Sequence, residues 1–582
     1  MNPLFNQFVS YSKNNVQGFH LIDKNLEVKE FLSFENLLKR SLSIAHSLQN
    51  KDVKQNEYVI LMYAPGIEFI AALLAIQIIG AIPVPTYPPF SKSGLLRLLS
   101  IKNTLNVKHT LVDHQVNNLL FSQSILNNPM TRLFMKLIKK DIPFTSEDFD
   151  HITHLNVINT DNISTTEINL RDVTMSVQEV GLIQFTSGSI SDPKGVILTF
   201  HNLISNIQAI QVRMQINKNS RIFAWVPQYH DMGLVAGILT SIYTGCNLYI
   251  MSPFDFIRQP SLWIKSLNKF KITHTGGPNF SYELCLKKVT AEEIKDIDLS
   301  CVEVLINGAE PVKNSTMRNF IDKFSHYGLK ATALVPAYGL AEASLLVTSN
   351  NEHNPLSLFI DKTSLTTNFL KISNAEDAVS LVNNGKPIDD HEIIIFDEEK
   401  QDLCADLEIG EILISGNSIT SGYINSSELA FLTKKDNQQN EKVYLRTGDL
   451  GFLYQGNLYI TGRKKDLIIY HGKNYYPQDV EHIAETCSSY IRKGCSAAFF
   501  DESTEDIILV AEIYHPNSEQ SLNEQVCENI KANISASLDI VVKKIILIPP
   551  ASIAKTTSGK IQRSKIKKQY KSQELRSVYT YE

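Results

Sequence analysis

The chain has 582 residues, of which 43% are apolar and 20% charged, and its net charge is −5. That length predicts two to four domains of about 100–200 residues, with enough apolar content for sizeable cores, which excludes a disordered solvating chain. The slight acidity argues against nucleic-acid binding as the main task, and 26 glycines and 21 prolines without a period exclude a collagen-like or low-complexity polymer.

The first residues, MNPLFNQFVSYSKNN, hold no basic stretch leading into an apolar core, so no signal peptide is expected. The longest apolar run, 67–84, is broken by Glu68 and Gln77 and closes on Pro83 and Pro85. A membrane span needs ~20 apolar residues, so the run is predicted as a buried core helix and no transmembrane segment is expected. The stretch 124–174 is mixed and polar and reads as an insertion or linker. Short runs rich in Val, Ile, Phe and Tyr follow at 182–185, 222–226, Asn247–Met251, 302–306 and 393–396, and are predicted strands. Stretches such as 202–215 and 261–271 between them are predicted helices. The alternation predicts an α/β chain of largely parallel, helix-covered sheets. A second polar stretch, 349–384, is rich in Asn, Ser and Thr. The basic Gly462-Arg463-Lys464-Lys465 marks a junction, after which about a hundred residues carry their own αβ pattern and end in a basic tail. Seven cysteines at 246, 285, 301, 404, 487, 495 and 527 form no Cys-x-x-Cys and no zinc-ligand spacing. They predict free thiols in a reducing, cytoplasmic setting.

The segment richest in chemistry is Phe185-Thr186-Ser187-Gly188-Ser189-Ile190-Ser191-Asp192-Pro193-Lys194-Gly195, between a predicted strand and a predicted helix. Its small residues leave backbone N–H groups and hydroxyls free for phosphate oxygens, and Lys194 supplies positive charge. A plain Gly/Ser turn is the bland alternative. A Walker A loop is excluded, because Pro193 precedes Lys194 and Gly195 follows it.

This loop resembles the phosphate-binding signature of the adenylate-forming enzymes: acyl-CoA synthetases, peptide-synthetase adenylation domains and luciferases. Further segments resemble that family's signatures in the family's order. They are Asn307-Gly308-Ala309-Glu310-Pro311, Tyr338-Gly339-Leu340-Ala341-Glu342, Thr447-Gly448-Asp449, Gly462-Arg463-Lys464-Lys465-Asp466 and Gly559-Lys560-Ile561-Gln562-Arg563. One departure is Ile190-Ser191, where the family's loop carries Thr-Gly. Two more segments, Gly80 to Pro89 and Trp225-Val226-Pro227-Gln228-Tyr229-His230-Asp231-Met232-Gly233-Leu234, resemble the fatty acyl-AMP ligases. So does the extra length at 349–384, whose Leu358, Phe359, Ile360, Leu365 and Leu370 are expected to pack as apolar anchors.

The resemblance implies the adenylate-forming fold, with a large N-terminal ATP- and acyl-binding domain over 1–463 and a small mobile α+β domain over 464–582 pivoting near Lys465. It implies ATP and Mg²⁺ as cofactors and activation of a medium- or long-chain fatty acid to acyl-adenylate, with pyrophosphate released. The acyl group then passes to an acyl carrier protein. A long-chain acyl-CoA synthetase and an inactive nucleotide- or acyl-binding regulator are the alternatives. A carboxylate must attack the α-phosphate of ATP, so two anions converge and positive charge is required. Lys560 is the implied catalytic lysine; a solvated basic tail is its bland alternative. Glu342, with Thr186, is the implied Mg²⁺ ligand, the ion needing a carboxylate. Asp449 offers acceptors to the ribose hydroxyls, Tyr338 a ring to adenine, and Arg463 a donor fork to ribose or α-phosphate. Thr186, Ser187, Gly188, Ser189, Lys194, Gly308, Ala309, Glu310 and Gly339 complete the implied nucleotide site. Trp225, His230, Asp231, Gly276 and Gly277 are the implied acyl-site residues. His230 stands at the entrance for the carboxylate and is counted with the catalytic residues. A loop pair bonding to each other and to backbone is the alternative for His230 and Asp231.

Overall fold

The computed structural model describes residues 3–13, 16–89, 92–125, 156–168, 173–175, 178–186, 194–350, 356–425, 431–435, 441–470, 473–516, 519–538, 540–556 and 559–582. Ser187, Gly188 and Ser189, with the departure at Ile190-Ser191, lie outside the described residues, as does much of the 124–174 stretch.

Among the described residues, nine strands form the largest sheet, in the order Lys386–Pro387, Leu346–Ser349, Leu334–Gly339, Val304–Asn307, His274–Gly277, Arg221–Ala224, Asn247–Met251, Gly18–Ile22 and Val28–Ser33. Neighbours from Leu334–Gly339 to Gly18–Ile22 pair in parallel, and the antiparallel pairs sit at the two ends. A second, parallel sheet runs Ile82–Thr86, Tyr58–Met62, His109–Val112, Val157–Asn159. Its strands are short unbroken apolar runs such as Tyr58-Val59-Ile60-Leu61-Met62, almost wholly buried, as expected where helices cover both faces. An antiparallel sheet built on His391–Asp397, Gly410–Gly416 and the long strand Glu441–Tyr454 follows. Ile491–Asp501, Asp506–Ile513, Val542–Ile548 and Tyr579–Tyr581 form a separate mixed sheet with its own cluster, including Ile468, Val480, Leu509, Ile530 and Ile545. No helix among the described residues is long and apolar enough to cross a membrane.

The run 67–84 is not one helix. The helix Glu68–Ile78, buried on every face, stops in a Schellman turn: Ala81 N–H donates to Ile76 O at 3.1 Å and Gly80 N–H to Gln77 O at 3.3 Å. Gly80 takes φ +78°, which favours glycine, and the chain leaves as the strand Ile82–Thr86. Pro83 and Pro85 cannot extend a helix, and they tolerate a strand only where no N–H is needed. Ile82 N–H donates inward to Glu57 O at 2.9 Å, so alternation turns the nitrogens of Pro83 and Pro85 to the outer edge. The strand Val180–Phe185 lies beside that edge but pairs instead with Gly195–Thr199. Two buried glutamines span the gap: Gln77 Nε2 donates to Gly181 O at 3.0 Å and Gln178 Nε2 to Ala81 O at 2.9 Å.

The 349–384 stretch is ordered around the hairpin Ser357–Ile360 and Val379–Val382. Ile360, Leu365 and Leu370 are buried against Ile409, Phe452 and Tyr459, with Leu358 partly buried beside them. Phe359 departs from the expectation: its strand position faces outward and it is exposed. The turn Ser364–Thr366 lies against the strand Lys473–Tyr475.

Candidate active site

The strand Val180–Phe185 and its partner Gly195–Thr199 pair as far as Phe185 with Gly195, so the loop between them is closed at its base. Thr186 N–H donates to Lys194 O at 3.0 Å, and the guanidinium of buried Arg97 donates to Thr186 O at 2.8 Å. Lys194 Nζ stands 5.2 Å from the centre of the Tyr423 ring. Tyr423 O–H in turn donates to Glu342 Oε1 at 2.5 Å. Arg97 and Tyr423 carry no sequence signal: each sits far along the chain from the residue it holds.

Gly308 and Ala309 follow the strand Val304–Asn307. A Cβ at Gly308 would lie 2.7 Å from Ala337 O, and Ala309 has φ +66°. Glu310 turns toward the helix Asn279–Lys288, accepting the Phe280 N–H at 2.5 Å. Burial raises its carboxyl to about 7, against the opposing pull of the Phe280 N–H and the Lys560 charge.

Tyr338 and Gly339 end the strand Leu334–Gly339, and Gly339 must be glycine, since a Cβ would overlap Leu345 O. The Tyr338 ring is buried and its hydroxyl donates to Asp449 Oδ2 at 2.7 Å. Asp449 lies opposite Arg463 in the ladder between Glu441–Tyr454 and Asn457–Arg463, and Arg463 Nε donates to Asp449 Oδ1 at 3.1 Å. The Asp449 charge raises the Arg463 pKa.

Past Trp225, Gln228 fastens the loop by a paired amide–backbone contact with Gly66, both bonds 2.8 Å. His230 Nδ1 and Asp231 Oδ1 are 2.6 Å apart, and Asp231 Oδ1 accepts Met232 N–H at 2.7 Å, starting the π-helix Met232–Leu239. The pair thus bonds to itself and to backbone, the bland alternative raised above, yet it also faces the site. Burial works to raise the Asp231 pKa, but His230 and Lys560 outweigh it and hold the carboxyl below its usual value.

Trp225 is 2% exposed, stacked on Phe256 at 3.9 Å, with Phe280 edge-on at 6.2 Å. Its ring fills the space over Gly277, where a Cβ would come within 2.5 Å of it; a Cβ at Gly276 would lie 2.5 Å from Ile306 O. Both glycines are therefore required by packing within the sheet, and the Trp225 indole N–H finds no acceptor among the described residues.

Lys560 rides on a tight turn. Thr556 N–H donates to Lys560 O at 2.7 Å, Gly559 N–H to Thr556 O at 2.9 Å, and Lys560 N–H to Thr556 Oγ1 at 3.0 Å. Gly559 has φ +87°. The Lys560 ammonium lies among Arg463, Asp231, Glu310 and Asp449. Burial lowers its pKa and Arg463 pushes the same way, while the three carboxylates pull it back. Lys465 is exposed in the short 3₁₀ turn Lys464–Asp466. One residue on, Asp466 accepts Arg563 Nη1 at 3.3 Å, while Arg563 holds Glu481 at 2.6 and 2.7 Å.

The chain is similar to proteins of known family. Residues 17–424 match a family described as AMP-binding enzyme, and residues 465–580 match one described as Disco-interacting protein 2-like, AMP domain. The chain is 34% identical over 570 residues to the medium-chain-fatty-acid–[acyl-carrier-protein] ligase JamA of Moorena producens, covering 96% of this chain and 93% of the relative. A structure from a study of fatty acyl-adenylate ligases from E. coli and L. pneumophila superposes with TM-score 0.84 at 28% identity, over 99% of this chain and 98% of that one. A fatty acyl-adenylate ligase from L. pneumophila, in complex with acyl adenylate and pyrophosphate, superposes with TM-score 0.71 at 31% identity, over 100% of this chain and 98% of that one.

Proposed function

The chain belongs to the AMP-binding enzyme family, as a fatty acyl-AMP ligase, and from that premise we propose how its residues divide the work and where the product goes. The enzyme activates a fatty acid with ATP. The carboxylate oxygen bonds to the α-phosphorus, the bond from that phosphorus to the α,β-bridging oxygen breaks, and pyrophosphate leaves with that electron pair. Lys560 is the group between the converging anions. The observation that carries this reading is its ammonium set among Asp231, Glu310, Asp449 and Arg463, ionisable groups from four separate segments. A cation already held there does not need to reorganise as charge develops.

Thr186, Ser187, Gly188, Ser189 and Lys194 take the β- and γ-phosphates. Asp449 accepts the ribose hydroxyls on lone pairs left by Tyr338 and Arg463; the Tyr338 ring, Gly308, Ala309 and Gly339 border adenine. His230, Asp231, Trp225, Gly276 and Gly277 border the acyl carboxylate and chain. Mg²⁺ fits the oxygens of Glu342 and Thr186: the ion takes one or two carboxylates plus phosphate oxygens, and Glu342 has one oxygen bonded to Tyr423 and the other without a partner among the described residues. When bound, it would neutralise phosphate charge. The two family matches part between 424 and 465, which supports lobes of 1–463 and 464–582 with a pivot at Lys465. The relative's name supports a medium-chain acid and a carrier-protein acceptor, and seven free cysteines favour a reducing, cytoplasmic location.

The test is product analysis by mass spectrometry, with ATP, a fatty-acid panel, and either CoA or a phosphopantetheinylated carrier protein. Acyl-AMP with CoA present, and acyl-carrier with the carrier present, are expected. Efficient acyl-CoA formation replaces the carrier reading with an acyl-CoA synthetase. Absence of ATP–pyrophosphate exchange reduces the chain to a binding protein.

A further inference from the structure

We propose that one face of the helix Asn279–Lys288 is the seat of the Lys560 loop, and that Phe280 is a positioning residue for Lys560. Phe280 and Lys287, two turns apart on one helical stripe, both meet C-terminal segments. Phe280 meets the loop itself: a Cβ at Gly559 would lie 3.2 Å from its ring, so the Gly559 backbone packs beside that ring. The Glu283–Lys313 ion pair, 3.3 Å, sets its charges on His482 of the helix Pro477–Cys487. Lys287 Nζ donates to Tyr514 O–H at 3.2 Å and stands 5.5 Å from that ring's centre. Tyr514 also receives the Arg492 guanidinium, 5.9 Å from the ring centre.

Phe280 is itself fixed from two sides. Its N–H is bonded to Glu310 and its ring meets the Trp225 ring edge-on. Glycine is favoured at 559, because φ there is +87° and a Cβ would press on the ring at 3.2 Å. Lys560, the next residue, therefore takes its place from a ring that belongs to the other lobe.

The inference uses the adenylation reading for the role of Lys560, but the contact is testable without it. Phe280→Ala and Lys287→Ala are made in the full chain; Lys287 is exposed, so its variant keeps the fold. Two measurements are compared with wild type: hydrogen exchange of the peptide spanning 559–561 in the unliganded chain, and kcat and KM for ATP and fatty acid in pyrophosphate exchange. Phe280→Ala is expected to speed exchange of the loop amides about tenfold and to lower kcat about 100-fold, with both KM values within about twofold, since misplacing a reacting group by about 1 Å has that effect. Lys287→Ala moves both readouts the same way by about two- to fivefold, the size of an exposed cation–π contact. Unchanged loop protection in Phe280→Ala overturns the seat. A raised fatty-acid KM at constant kcat also overturns it and assigns Phe280 to the acyl pocket. A wild type without exchange activity, whose loop the variants still loosen, refutes the adenylation reading and leaves the seat standing.

Discussion

Replacing Glu310 by Gln should change how the stability of the enzyme depends on pH. Burial holds the Glu310 carboxyl at about 7 against an ordinary 4.5, so the folded chain binds this proton more tightly than the unfolded chain. A carboxyl shifted upward stabilises the fold while protonated. That contribution is present below pH 4.5 and is lost as pH rises toward the folded value of about 7. At ~1.4 kcal/mol per tenfold, the gap amounts to about 3 kcal/mol at most. Gln cannot lose a proton, and its carbonyl still accepts the Phe280 N–H. A lobe of about 460 residues unfolds with an entropy near 1 kcal/mol/K, so the effect is about 3 °C in Tm. Thermal unfolding of both proteins is followed by intrinsic fluorescence at pH 5 and pH 8. Other titrating groups cancel in the difference between the two chains. The Tm difference should move in favour of Glu310→Gln by about 2–3 °C between the two pH values. A difference that stays constant would show that Glu310 is ionised throughout and refute the reasoning.

Lys560→Ala should slow ATP–pyrophosphate exchange about 10²–10³-fold with an unchanged unfolding curve; a rate within a few-fold of wild type would return the segment to a solvated basic tail. Glu342→Gln should raise the Mg²⁺ concentration giving half-maximal exchange, since an amide is the poorer ligand for a hard cation, and an unchanged value would move the metal elsewhere. Asp449→Ala should raise the KM for ATP. It should also destabilise the chain by about 1–3 kcal/mol, because the buried Tyr338 hydroxyl loses its acceptor; unaltered ATP binding would leave Asp449 a purely structural acceptor.

Much of the site was legible in the sequence because its groups stand in short runs with fixed backbone demands. Gly339 before Glu342 leaves no room for a Cβ, and Gly448 before Asp449 and Gly559 before Lys560 take positive φ, so the run and its geometry travel together. The strands at 182–185 and Asn247–Met251 were legible for a related reason, unbroken apolar runs of strand length. The run 67–84 was not, because hydropathy alone does not separate a buried helix from a buried parallel strand; Gly80 and the alternate prolines held the information. Arg97 and Tyr423 were illegible on other grounds. Arg97 lies 89 positions from the Thr186 carbonyl it holds, and Tyr423 lies 81 from Glu342. No local pattern encodes such pairings. The bond of Glu310 to the Phe280 N–H was illegible too, since it is made to a helix that starts about thirty residues earlier.

The glutamine-bridged gap beside Pro83 and Pro85 has a mechanical consequence. A hydrogen-bonded ladder resists sliding, since every rung must break at once. Here two side-chain amides, each on several rotatable bonds, replace the rungs between Ile82–Thr86 and Val180–Phe185. Such a joint is stiff to separation, because its faces are buried and apolar, yet compliant to shear. The strand on the compliant side is the one that ends at Thr186. The hairpin of Val180–Phe185 and Gly195–Thr199 is thereby freer to shift along the seam than the parallel sheet behind it, which keeps every rung.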